Sequence, residues 1–488
     1  MDVLFLIPPS AYNQKKTPVD RVYGCNYGYD YKPAIHLLLL ATVAEQLGHK
    51  VRFLDCPAEG LNIKKFFDYI RSHHIDAVIF FTVWLSANED LWAVKIISDK
   101  VEKVKIVFIG AYPTWKPEFF IKDKNYFVIR GEPEETLKEL LSLFQSGEGN
   151  LSGIKGLSFL ENDKIVNNSS REPIDINCLP IPNRKLLRGK YCFNRINAYP
   201  STVICVSRGC SYNCTYCAPH ALDQAIELEY SKLHSRKPTL RLKSVENTVK
   251  ELREISFLGY RGIEICDNQF VWDKARTMEI CNAIQPLQLS WICYARADHL
   301  KDIEMLRAMR RAGCKLIYVG TESFCQEILD DINKEMSVKD SYKAVKLLRE
   351  VGIEPEVSVL MGASRLETEK TILYTIQESQ KLKTNFVHYS IASPLPNTHL
   401  YKIAKEKGWI RRGEFVPHDN IRDALLDLPN IKAEKLRIII RKCYARQYLS
   451  LHFISQQVRN PYFFKRFMFK LKSLVRLIRY THFSYKLL

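Results

Sequence analysis

The sequence predicts an α/β protein with two successive parallel-sheet domains and a helical C-terminal region. Short apolar runs alternate with helical segments along the first 150 residues, and a second alternating series begins near residue 202. Alternation of this kind is typical of parallel sheets that are covered by helices. A change of composition after residue 434, where acidic residues stop, separates the tail from both domains. The predicted domains are residues 1–148, 149–196, 197–425 and 426–488.

The first domain is predicted to be a doubly wound, Rossmann-like sheet. Its strands are apolar runs, and helices at 36–47 and 89–97 lie between them in the chain. The predicted strands are residues 3–7, 51–54, 77–82, 106–109 and 126–129. Ligands bind such sheets at the carboxyl ends of the strands. We therefore expect the binding residues of this domain in the segments that follow each strand.

Residues 149–196 are predicted to connect the two domains. Apolar runs at 153–159 and 164–166 indicate a small hairpin, and the Pro-rich segment 179–183 is predicted to be extended. Pro removes a backbone donor and disfavours helix in the residue before it. The segment is therefore predicted to be a linker that carries one hairpin.

The third segment is predicted to be a partial (β/α)6 barrel of the TIM type. Helices are predicted at 244–257, with Ser244 as the N-cap, and at 303–312. A polar run follows each strand, which is where barrels of this type place their chemistry. The predicted strands are residues 202–206, 262–266, 289–294, 316–319, 356–360 and 386–391.

Composition indicates a globular chain from a reducing compartment. Of the 488 residues, 46% are hydrophobic and 26% are charged, which is ordinary for a folded domain protein. The start of the sequence has Asp2 where a signal peptide would have basic residues, and no apolar run is long enough to span a bilayer. Fourteen cysteines without an export signal predict a cytoplasmic protein with mostly reduced thiols.

Positive charge is concentrated at the end of the chain. The net charge is +18, but residues 435–488 hold thirteen Lys or Arg and no acid, which leaves +5 for residues 1–434. Residues 431–453 are predicted to be helical, and between 461 and 480 Phe, Leu and Ile alternate with Lys and Arg. A basic amphipathic helix suits an anionic membrane surface. A solvated packing helix and a nucleic-acid contact are the alternatives, and the large aliphatic share favours the membrane.

Three cysteines, Cys210, Cys214 and Cys217, form the pattern Cys-x3-Cys-x2-Cys within one short loop. Thiolates bind iron–sulfur clusters, and a [4Fe–4S] cluster takes four ligands, so three local ligands leave one iron open. A structural zinc site would use four ligands, usually as two close pairs, and the sequence has no second Cys-x2-Cys pair. His220 offers a fourth ligand, so spacing alone leaves zinc as an alternative.

The run 207–217 resembles the signature of radical S-adenosylmethionine (SAM) enzymes. The resemblance implies a [4Fe–4S] cluster on the three cysteines, with the amino and carboxylate groups of SAM on the open iron. It implies that Tyr216, just before the last cysteine, lies near the adenine. Electron transfer from the cluster then cleaves SAM to a 5′-deoxyadenosyl radical.

Residues that follow the predicted barrel strands are further candidates to bind SAM. Arg241 and Arg296 offer guanidinium groups, which bind carboxylates through two hydrogen bonds. Glu322, in a run that resembles the family's usual sequence, is expected to accept bonds from the ribose hydroxyls or the amino group. Asp267 is expected to contact SAM or substrate, and Gly362 to let the backbone approach the adenine or sugar. For each, a structural ion pair or a turn is the alternative.

The first domain resembles the cobalamin-binding domain that precedes many radical SAM cores. The matching residues are Ser86, Gly110, Gly131 and Glu132, which the resemblance makes candidates to bind the cofactor. The motif Asp-x-His-x-x-Gly, whose histidine ligates cobalt in many such domains, is absent. The resemblance therefore implies cobalamin without that lower ligand, or a domain that has lost the cofactor and only packs and binds substrate.

The resemblance implies a cobalamin-dependent enzyme that methylates an unactivated carbon of a lipid, isoprenoid or tetrapyrrole-like substrate. Ring formation or rearrangement is one alternative, and an RNA-modifying methylthiotransferase is another. Methylthiotransferases need three N-terminal cysteines for a second cluster, and only Cys25 and Cys56 precede residue 178. The alternative from another class is a non-catalytic, zinc-stabilised binding protein.

The expected partners follow from this interpretation. They are a small-molecule or lipid substrate, a reduced flavodoxin or ferredoxin-type electron donor, and an anionic membrane surface that the tail contacts. Nucleic acid is not expected as a partner. The expected location is the cytoplasm, with the tail on the inner face of the membrane.

Overall fold

The computed structural model describes residues 1–10, 18–24, 31–191, 196–418 and 423–448. The predicted amphipathic helix at 461–480 lies outside these residues. The chain divides into two compact units, and both units contain separated segments of the sequence. The first unit consists of Met1–Ser211, Ala218–Phe270 and Ala275–Cys293, and the second of Tyr212–Cys217, Val271–Lys274 and Tyr294–Leu488.

The first sheet has seven strands, and its parallel part matches the prediction. The strands are β1 (Asp2–Ile7), β2 (Lys50–Asp55), β3 (Ala77–Phe81), β4 (Lys105–Ile109), β5 (Tyr126–Ile129), β6 (Leu157–Glu161) and β7 (Lys164–Asn167). Their order is β2-β1-β3-β4-β5-β6-β7, and the pairs among the first five are parallel. The strand order reverses between β1 and β3, and doubly wound sheets bind ligands at the carboxyl ends beside such a switch point.

The predicted hairpin is confirmed, and it belongs to the first sheet. β6 and β7 pair antiparallel to each other, and β6 pairs antiparallel to β5. Without the hairpin, β5 would be an edge strand with open backbone groups. The segment predicted as a linker therefore completes the sheet of the first unit.

Helices cover the first sheet on both faces. Parallel strands that are buried on both faces form nearly continuous apolar runs, as in β3, where every residue is buried. Helix α1 is buried at ten of its twelve positions, so it is apolar on almost every side. The helices of this part are α1 (Ile35–Gln46), α2 (Cys56–Glu59), α3 (Ile63–Ser72), α4 (Ala87–Ser98), α5 (Ala111–Trp115), α6 (Pro117–Phe120) and α7 (Glu134–Ser146).

Eight further strands follow. Six of them form one sheet in the order β15-β14-β13-β12-β11-β8, and β9 pairs antiparallel with β10. The pairs of β11 with β8 and β12, and of β14 with β13 and β15, are parallel, in agreement with the predicted partial barrel. The strands are β8 (Ser201–Ile204), β9 (Ser207–Arg208), β10 (Arg241–Leu242), β11 (Gly262–Ile265), β12 (Ser290–Arg296), β13 (Cys314–Glu322), β14 (Glu354–Met361) and β15 (Phe386–Ile391).

Helices alternate with these strands, and side-chain caps define where several of them begin. Ser244 caps α9 through a bond from the Asn247 amide (3.1 Å), as predicted, and Asp302 caps α11 through the Met305 amide (2.9 Å). The helices are α8 (Ala221–His234), α9 (Val245–Phe257), α10 (Lys274–Ile284), α11 (Ile303–Arg311), α12 (Gln326–Asp331), α13 (Val338–Glu350), α14 (Glu369–Lys381), α15 (His399–Glu406) and α16 (Ala433–Tyr448).

Helix α8 is not among the sequence predictions. Nine of its fourteen residues are buried, and they lie on more than one face of the helix. The helix packs against α5 of the first sheet. The segment after β5 also contacts α8 and requires glycine at Gly131, because a Cβ there would lie 2.9 Å from the Cβ of Glu229 on α8.

A buried ion pair ties the connector to the strands and helices that follow it. The Arg184 guanidinium is fully buried and donates from Nη2 to Glu251 Oε1 (2.7 Å) and to the Val203 carbonyl (2.8 Å). Lys243 Nζ donates to the other oxygen of Glu251 at 2.7 Å. Residue 184 lies in the predicted linker, yet its side chain is a fixed part of the first unit.

Across the described residues, no helix combines the length and apolar character that a bilayer crossing needs.

Candidate active site

The loop that carries the three predicted cluster ligands follows β9 and precedes α8. Cys217 is exposed, and Cys210 and Cys214 are partly exposed. Backbone amides anchor the loop at its start and near its middle: the Gly209 amide donates to Asp223 Oδ2 (2.8 Å), and the Thr215 amide donates to the Ile332 carbonyl (2.9 Å). Three accessible thiols on an anchored loop form a donor set that suits an iron–sulfur cluster.

A fixed positive charge lies beside Cys214. Arg296, at the end of β12, has its Nη1 atom 4.0 Å from Cys214 Sγ, and its guanidinium covers the Tyr212 ring at 3.5 Å from the centroid. Asp298 Oδ1 accepts from Arg296 Nε at 3.0 Å, and the Lys334 carbonyl accepts from Nη2 at 2.5 Å. The guanidinium therefore lies next to one of the three candidate iron ligands.

A second polar group lies at the end of β13, where the strand register shifts between Gly320 and Glu322. Glu322 has a φ of +61°, in the left-handed region that a non-glycine residue rarely adopts. Its Oε1 accepts from Lys334 Nζ at 2.8 Å, and the same Nζ lies 3.5 Å from the Tyr216 hydroxyl. Strained backbone of this kind concentrates at functional sites because it re-aims a side chain.

Tyr216 keeps its phenolic proton in this environment. Removal from water raises its pKa well above 10, and the negative charge of Glu322 adds to the shift. A neutral phenol donates a hydrogen bond and presents an aromatic face. Both properties agree with the predicted place of Tyr216 near a nucleoside.

Two residues that were predicted to bind different cofactors bind each other. Arg241, a candidate for the SAM carboxylate, donates from Nη1 to both oxygens of Glu132 at 2.9 Å. Glu132, a candidate for cobalamin, also accepts from Arg208, which binds Glu134 at 2.5 Å. Burial works against the charged carboxylate, but Arg208 and Arg241 hold the pKa of Glu132 below its usual 4.5. The group is a buried ion network within the first unit, and a cofactor role for either residue stays a prediction.

Asp267 contacts the strand that leads into the cysteine loop. Its Oδ1 accepts from the amides of Val206 (2.7 Å) and Ser207 (3.2 Å), and burial raises its pKa to about 7. These contacts fix the backbone just before β9. In this structure Asp267 positions the loop, and a direct contact with SAM or substrate stays a prediction.

Three of the four residues predicted in the first domain lie after successive strands of the first sheet. Ser86 follows β3, Gly110 follows β4 and Gly131 follows β5. The Ser86 hydroxyl accepts from Arg21 Nη1 at 2.6 Å and contacts Asp90 Oδ2 at 3.1 Å, so the protein already engages it. The structure therefore brings these three residues to one edge of the sheet, and their contact with cobalamin stays a prediction.

Gly362 ends β14 with a φ of +79°, which favours glycine. A Cβ at this position would lie 2.9 Å from Cδ1 of Leu436 on α16. The left-handed backbone therefore accounts for the glycine, because the end of the Leu436 side chain could move to admit a Cβ. Its predicted approach to the adenine or sugar of SAM stays a prediction.

The sequence predictions missed several residues beside the loop. Lys334 and Asp298 hold Glu322 and Arg296, and His299 Nε2 lies 2.5 Å from the Tyr212 hydroxyl. Asp298 and His299 follow the end of a predicted strand, so their position in the sequence could have identified them as site candidates. Lys334 lies after α12 in a run without a recognisable pattern.

Comparison with known proteins decides the family. The model of the radical SAM superfamily matches residues 204–379, and the model of the B12-binding domain matches residues 21–141. The chain belongs to the radical SAM superfamily and carries a B12-binding domain. The radical SAM domain uses a [4Fe–4S] cluster and SAM, and the B12-binding domain accounts for cobalamin. These matches argue against the zinc-stabilised binding protein.

Three curated relatives resemble this radical SAM protein over most of its length. An uncharacterized methyltransferase of Pyrococcus horikoshii is 29% identical over 457 residues, which are 92% of this chain and 93% of the relative. The anaerobic magnesium-protoporphyrin IX monomethyl ester cyclase of Cereibacter sphaeroides is 23% identical over 73% of this chain and 57% of its own length. The hopanoid C-3 methylase of Methylococcus capsulatus is 23% identical over 74% of this chain and 67% of its own length.

A solved structure has the same fold. The radical SAM methyltransferase TsrM of Kitasatospora setae, with cobalamin and a [4Fe–4S] cluster bound, matches with a TM-score of 0.65. The match covers 92% of this chain and 85% of that chain at 18% sequence identity. It confirms the predicted architecture of a Rossmann-like domain followed by a partial barrel.

The carboxyl edge of the first sheet combines bare backbone with aromatic side chains. A Cβ at Gly110, where φ is +120°, would lie 2.4 Å from the Thr82 carbonyl oxygen. The position therefore requires glycine, and the chain after β4 has no side chain there. The rings of Trp84 and Tyr112 lie 5.0 Å apart, and Trp115 lies 5.5 Å from Trp84. Aromatic faces next to bare backbone are typical of cofactor sites. The cobalamin assignment from the family model therefore agrees with the residues present.

Proposed function

We propose that this radical SAM protein is a cobalamin-dependent methyltransferase that acts on an unactivated carbon, with the cluster on Cys210, Cys214 and Cys217. The contact of Arg296 with Cys214, 4.0 Å between Nη1 and Sγ, carries the assignment of the site. It joins a cluster-ligand candidate to a carboxylate-binding group at the end of β12. A radical SAM site needs these two groups side by side, because SAM binds the cluster through its carboxylate.

Different described residues around the loop are expected to bind different groups of SAM. Arg296 is held by Asp298 and by backbone carbonyls, so its guanidinium is fixed beside Cys214, where we expect the SAM carboxylate to bind. Glu322 and Lys334 form a charged pair that offers both an acceptor and donors to the sugar and amino groups. When bound, the cluster supplies the electron that cleaves SAM, and cobalamin carries the methyl group.

The relatives support the substrate class. The names of two of them give a hopanoid and a magnesium-protoporphyrin ester, which are a polycyclic isoprenoid and a tetrapyrrole. We propose that this chain takes a substrate of the same kind, large and mostly apolar. Ring formation, as in the cyclase, is the second candidate. Methylation is favoured because the match to the methyltransferase of Pyrococcus horikoshii spans 93% of that relative.

The products of SAM test this function without knowledge of the substrate. We expect anaerobically purified protein, supplied with iron, sulfide and cobalamin, to release 5′-deoxyadenosine when a flavodoxin-type donor or dithionite reduces it. A methyltransferase also forms S-adenosylhomocysteine, because cobalamin takes its methyl group from SAM. Release of 5′-deoxyadenosine alone would favour the ring-forming alternative, and release of neither product would contradict the proposal.

Glu322 gives a prediction for SAM affinity. Changing Glu322→Gln removes the charge that Lys334 and a bound SAM share, so we expect the Kd for SAM to rise about tenfold or more. Anaerobic calorimetric titration of the cluster-loaded protein measures this. Glu327→Gln, at an exposed site on α12, is the matched control and should leave the Kd unchanged. Equal affinity of both variants would remove Glu322 from the SAM site.

The tail gives a prediction for lipid binding. Each Lys or Arg near an anionic surface contributes about 1 kcal/mol, and residues 461–488 hold seven of them. We expect deletion of 461–488 to release the protein from vesicles that contain an anionic phospholipid. Flotation measures the bound fraction, with neutral vesicles as the control. Unchanged flotation of the shortened protein would exclude the tail as the membrane contact.

A further inference from the structure

Two buried histidines and one partly buried cysteine lie close together in the first unit. His36 is in the first turn of α1, Cys205 follows β8, and His220 is the residue at which α8 begins. One ligand atom from each lies within 4.8 Å of the other two. His36 and His220 are 5% and 3% exposed. All three residues belong to the first unit.

The ring nitrogens of this group are not satisfied by the protein. His36 Nε2 and His220 Nδ1 are buried and have no hydrogen-bond partner among the described residues, and His220 Nε2 lies 3.3 Å from Asp223 Oδ2 without the geometry of a hydrogen bond. The rings lie 5.2 Å apart at an angle of 33°, so they do not stack. A buried imidazole without a partner loses the hydrogen bonds that it makes in water, which costs about 1–3 kcal/mol. A bound metal ion removes that cost, because a nitrogen lone pair is then used.

We propose that His36, Cys205 and His220 form a second metal site that binds one zinc-type divalent ion. Zinc takes Cys sulfur at about 2.3 Å and His nitrogen at about 2.0–2.1 Å. Donor atoms around a tetrahedral ion at these bond lengths are about 3.3–3.6 Å apart. The three ligand atoms lie within 4.8 Å of one another, so small rotations of the three side chains would bring them to the tetrahedral spacing.

Neighbouring residues support this set in the way that metal ligands are usually supported. Asp223 Oδ2 lies 3.3 Å from His220 Nε2, which leaves Nδ1 of His220 for the ion. A carboxylate behind a ligating histidine is the usual partner that fixes its ring. The same Asp223 oxygen accepts from the Gly209 amide (2.8 Å) and Asn268 Nδ2 (2.6 Å), so it is held in place.

The charges balance when the ion is present. A thiolate at Cys205 and the carboxylate of Asp223 together offset the two positive charges of the ion, which a buried site requires. Arg208 lies close enough to both histidines to act on their charge, but Glu132 and Glu134 already neutralise it. Three protein ligands leave one coordination position for water or for a heteroatom of a bound molecule.

The sequence left open which group of ligands His220 belongs to. His220 follows Cys217 by three residues, and spacing alone made it a possible fourth ligand beside the three cysteines. The structure groups it with His36 and Cys205 instead. The three cysteines and the proposed ion therefore do not compete for this ligand.

Metal analysis of the full chain tests the proposal. Protein expressed without cobalamin, in a variant that combines Cys210→Ala, Cys214→Ala and Cys217→Ala, cannot place metal on the triplet. We expect this protein to retain one zinc per chain and to bind one Co²⁺ in exchange, with the absorption of a tetrahedral site and a thiolate-to-cobalt band. Absence of zinc together with absence of Co²⁺ binding would overturn the proposal.

Single variants in the same background assign the ligands. His36→Gln and Cys205→Ser should each lower the affinity for Co²⁺ by at least a hundredfold, and Cys205→Ser should remove the thiolate band. Cys56→Ser, which changes a buried thiol elsewhere in the first unit, is the matched control and should keep both signals. Circular dichroism checks that each variant is folded. Full Co²⁺ binding with an unchanged thiolate band in folded Cys205→Ser would exclude this site.

Discussion

Replacing Cys210, Cys214 and Cys217 together by alanine is expected to abolish both cluster binding and SAM cleavage. No other loop of the described chain presents three accessible thiols on so short a segment. Iron and acid-labile sulfide should fall from about four each per chain to background, because a cluster without thiolate ligands is not retained. Release of 5′-deoxyadenosine should fall with them, since the electron that cleaves SAM comes from the cluster.

The control is a cysteine of similar exposure outside the loop. Cys178 is exposed and lies before the second sheet, so Cys178→Ala should keep full iron content and full SAM cleavage. Single alanine variants of the triplet separate ligation from stability, because thermal melting should change little while the cluster absorbance is lost. If deoxyadenosine output survived the loss of all three thiols, the assignment of the site would be wrong.

Changing Arg208→Ala is expected to cause the largest loss of stability among single substitutions of the first unit. Arg208 is 5% exposed and binds Glu132 and Glu134, which are 4% and 1% exposed. Removing the guanidinium leaves two buried carboxylates, of which Glu132 keeps its ion pair with Arg241. Breaking a buried pair of this kind costs about 3–5 kcal/mol. Urea unfolding followed by fluorescence measures the loss.

A less buried pair and the pH dependence make this prediction specific. Arg171 bonds Glu139 at 2.6 Å in a more exposed setting, so Arg171→Ala should cost less than about 1 kcal/mol. The pKa of Glu132 is held below 4.5, so its charge stabilises the fold above pH 4.5 and the contribution is lost as the pH falls through the lower folded value. The difference between wild type and Arg208→Ala should therefore shrink in acid. A constant difference down to acid unfolding would contradict this explanation.

Much of the architecture could be predicted because the strands are unambiguous in the sequence. The runs at 77–82, 106–109 and 126–129 are β-branched and aromatic, and each was found within a residue or two as β3, β4 and β5. Helix α8 could not be found in this way. Its nine buried residues lie on most sides of the helix, so the sequence shows no apolar stripe with the helical period. The hairpin was recognised as local structure, but its pairing with β5 is a long-range contact that local pattern does not contain.

The same difference between local patterns and long-range contacts applies to the candidate site. The spacing of Cys210, Cys214 and Cys217 is local and could be recognised at once. The pairing of Arg241 with Glu132 joins residues 109 apart in the sequence, so each was interpreted separately as a cofactor ligand. His36 and Cys205, which the structure places with His220, are likewise far apart in the chain. Charge partners and metal ligands from separate segments are visible only after folding.

The buried Arg184 has a consequence for how this chain can be divided. Its side chain reaches from the segment between the two sheets to Glu251, and Lys243 is the second cation on that carboxylate. A chimera or a two-fragment expression that cuts after residue 184 would carry the guanidinium away on the wrong piece. The downstream piece would then keep a desolvated acid with half its counter-charge. Domain exchange with a homologue should therefore join the chain upstream of this arginine.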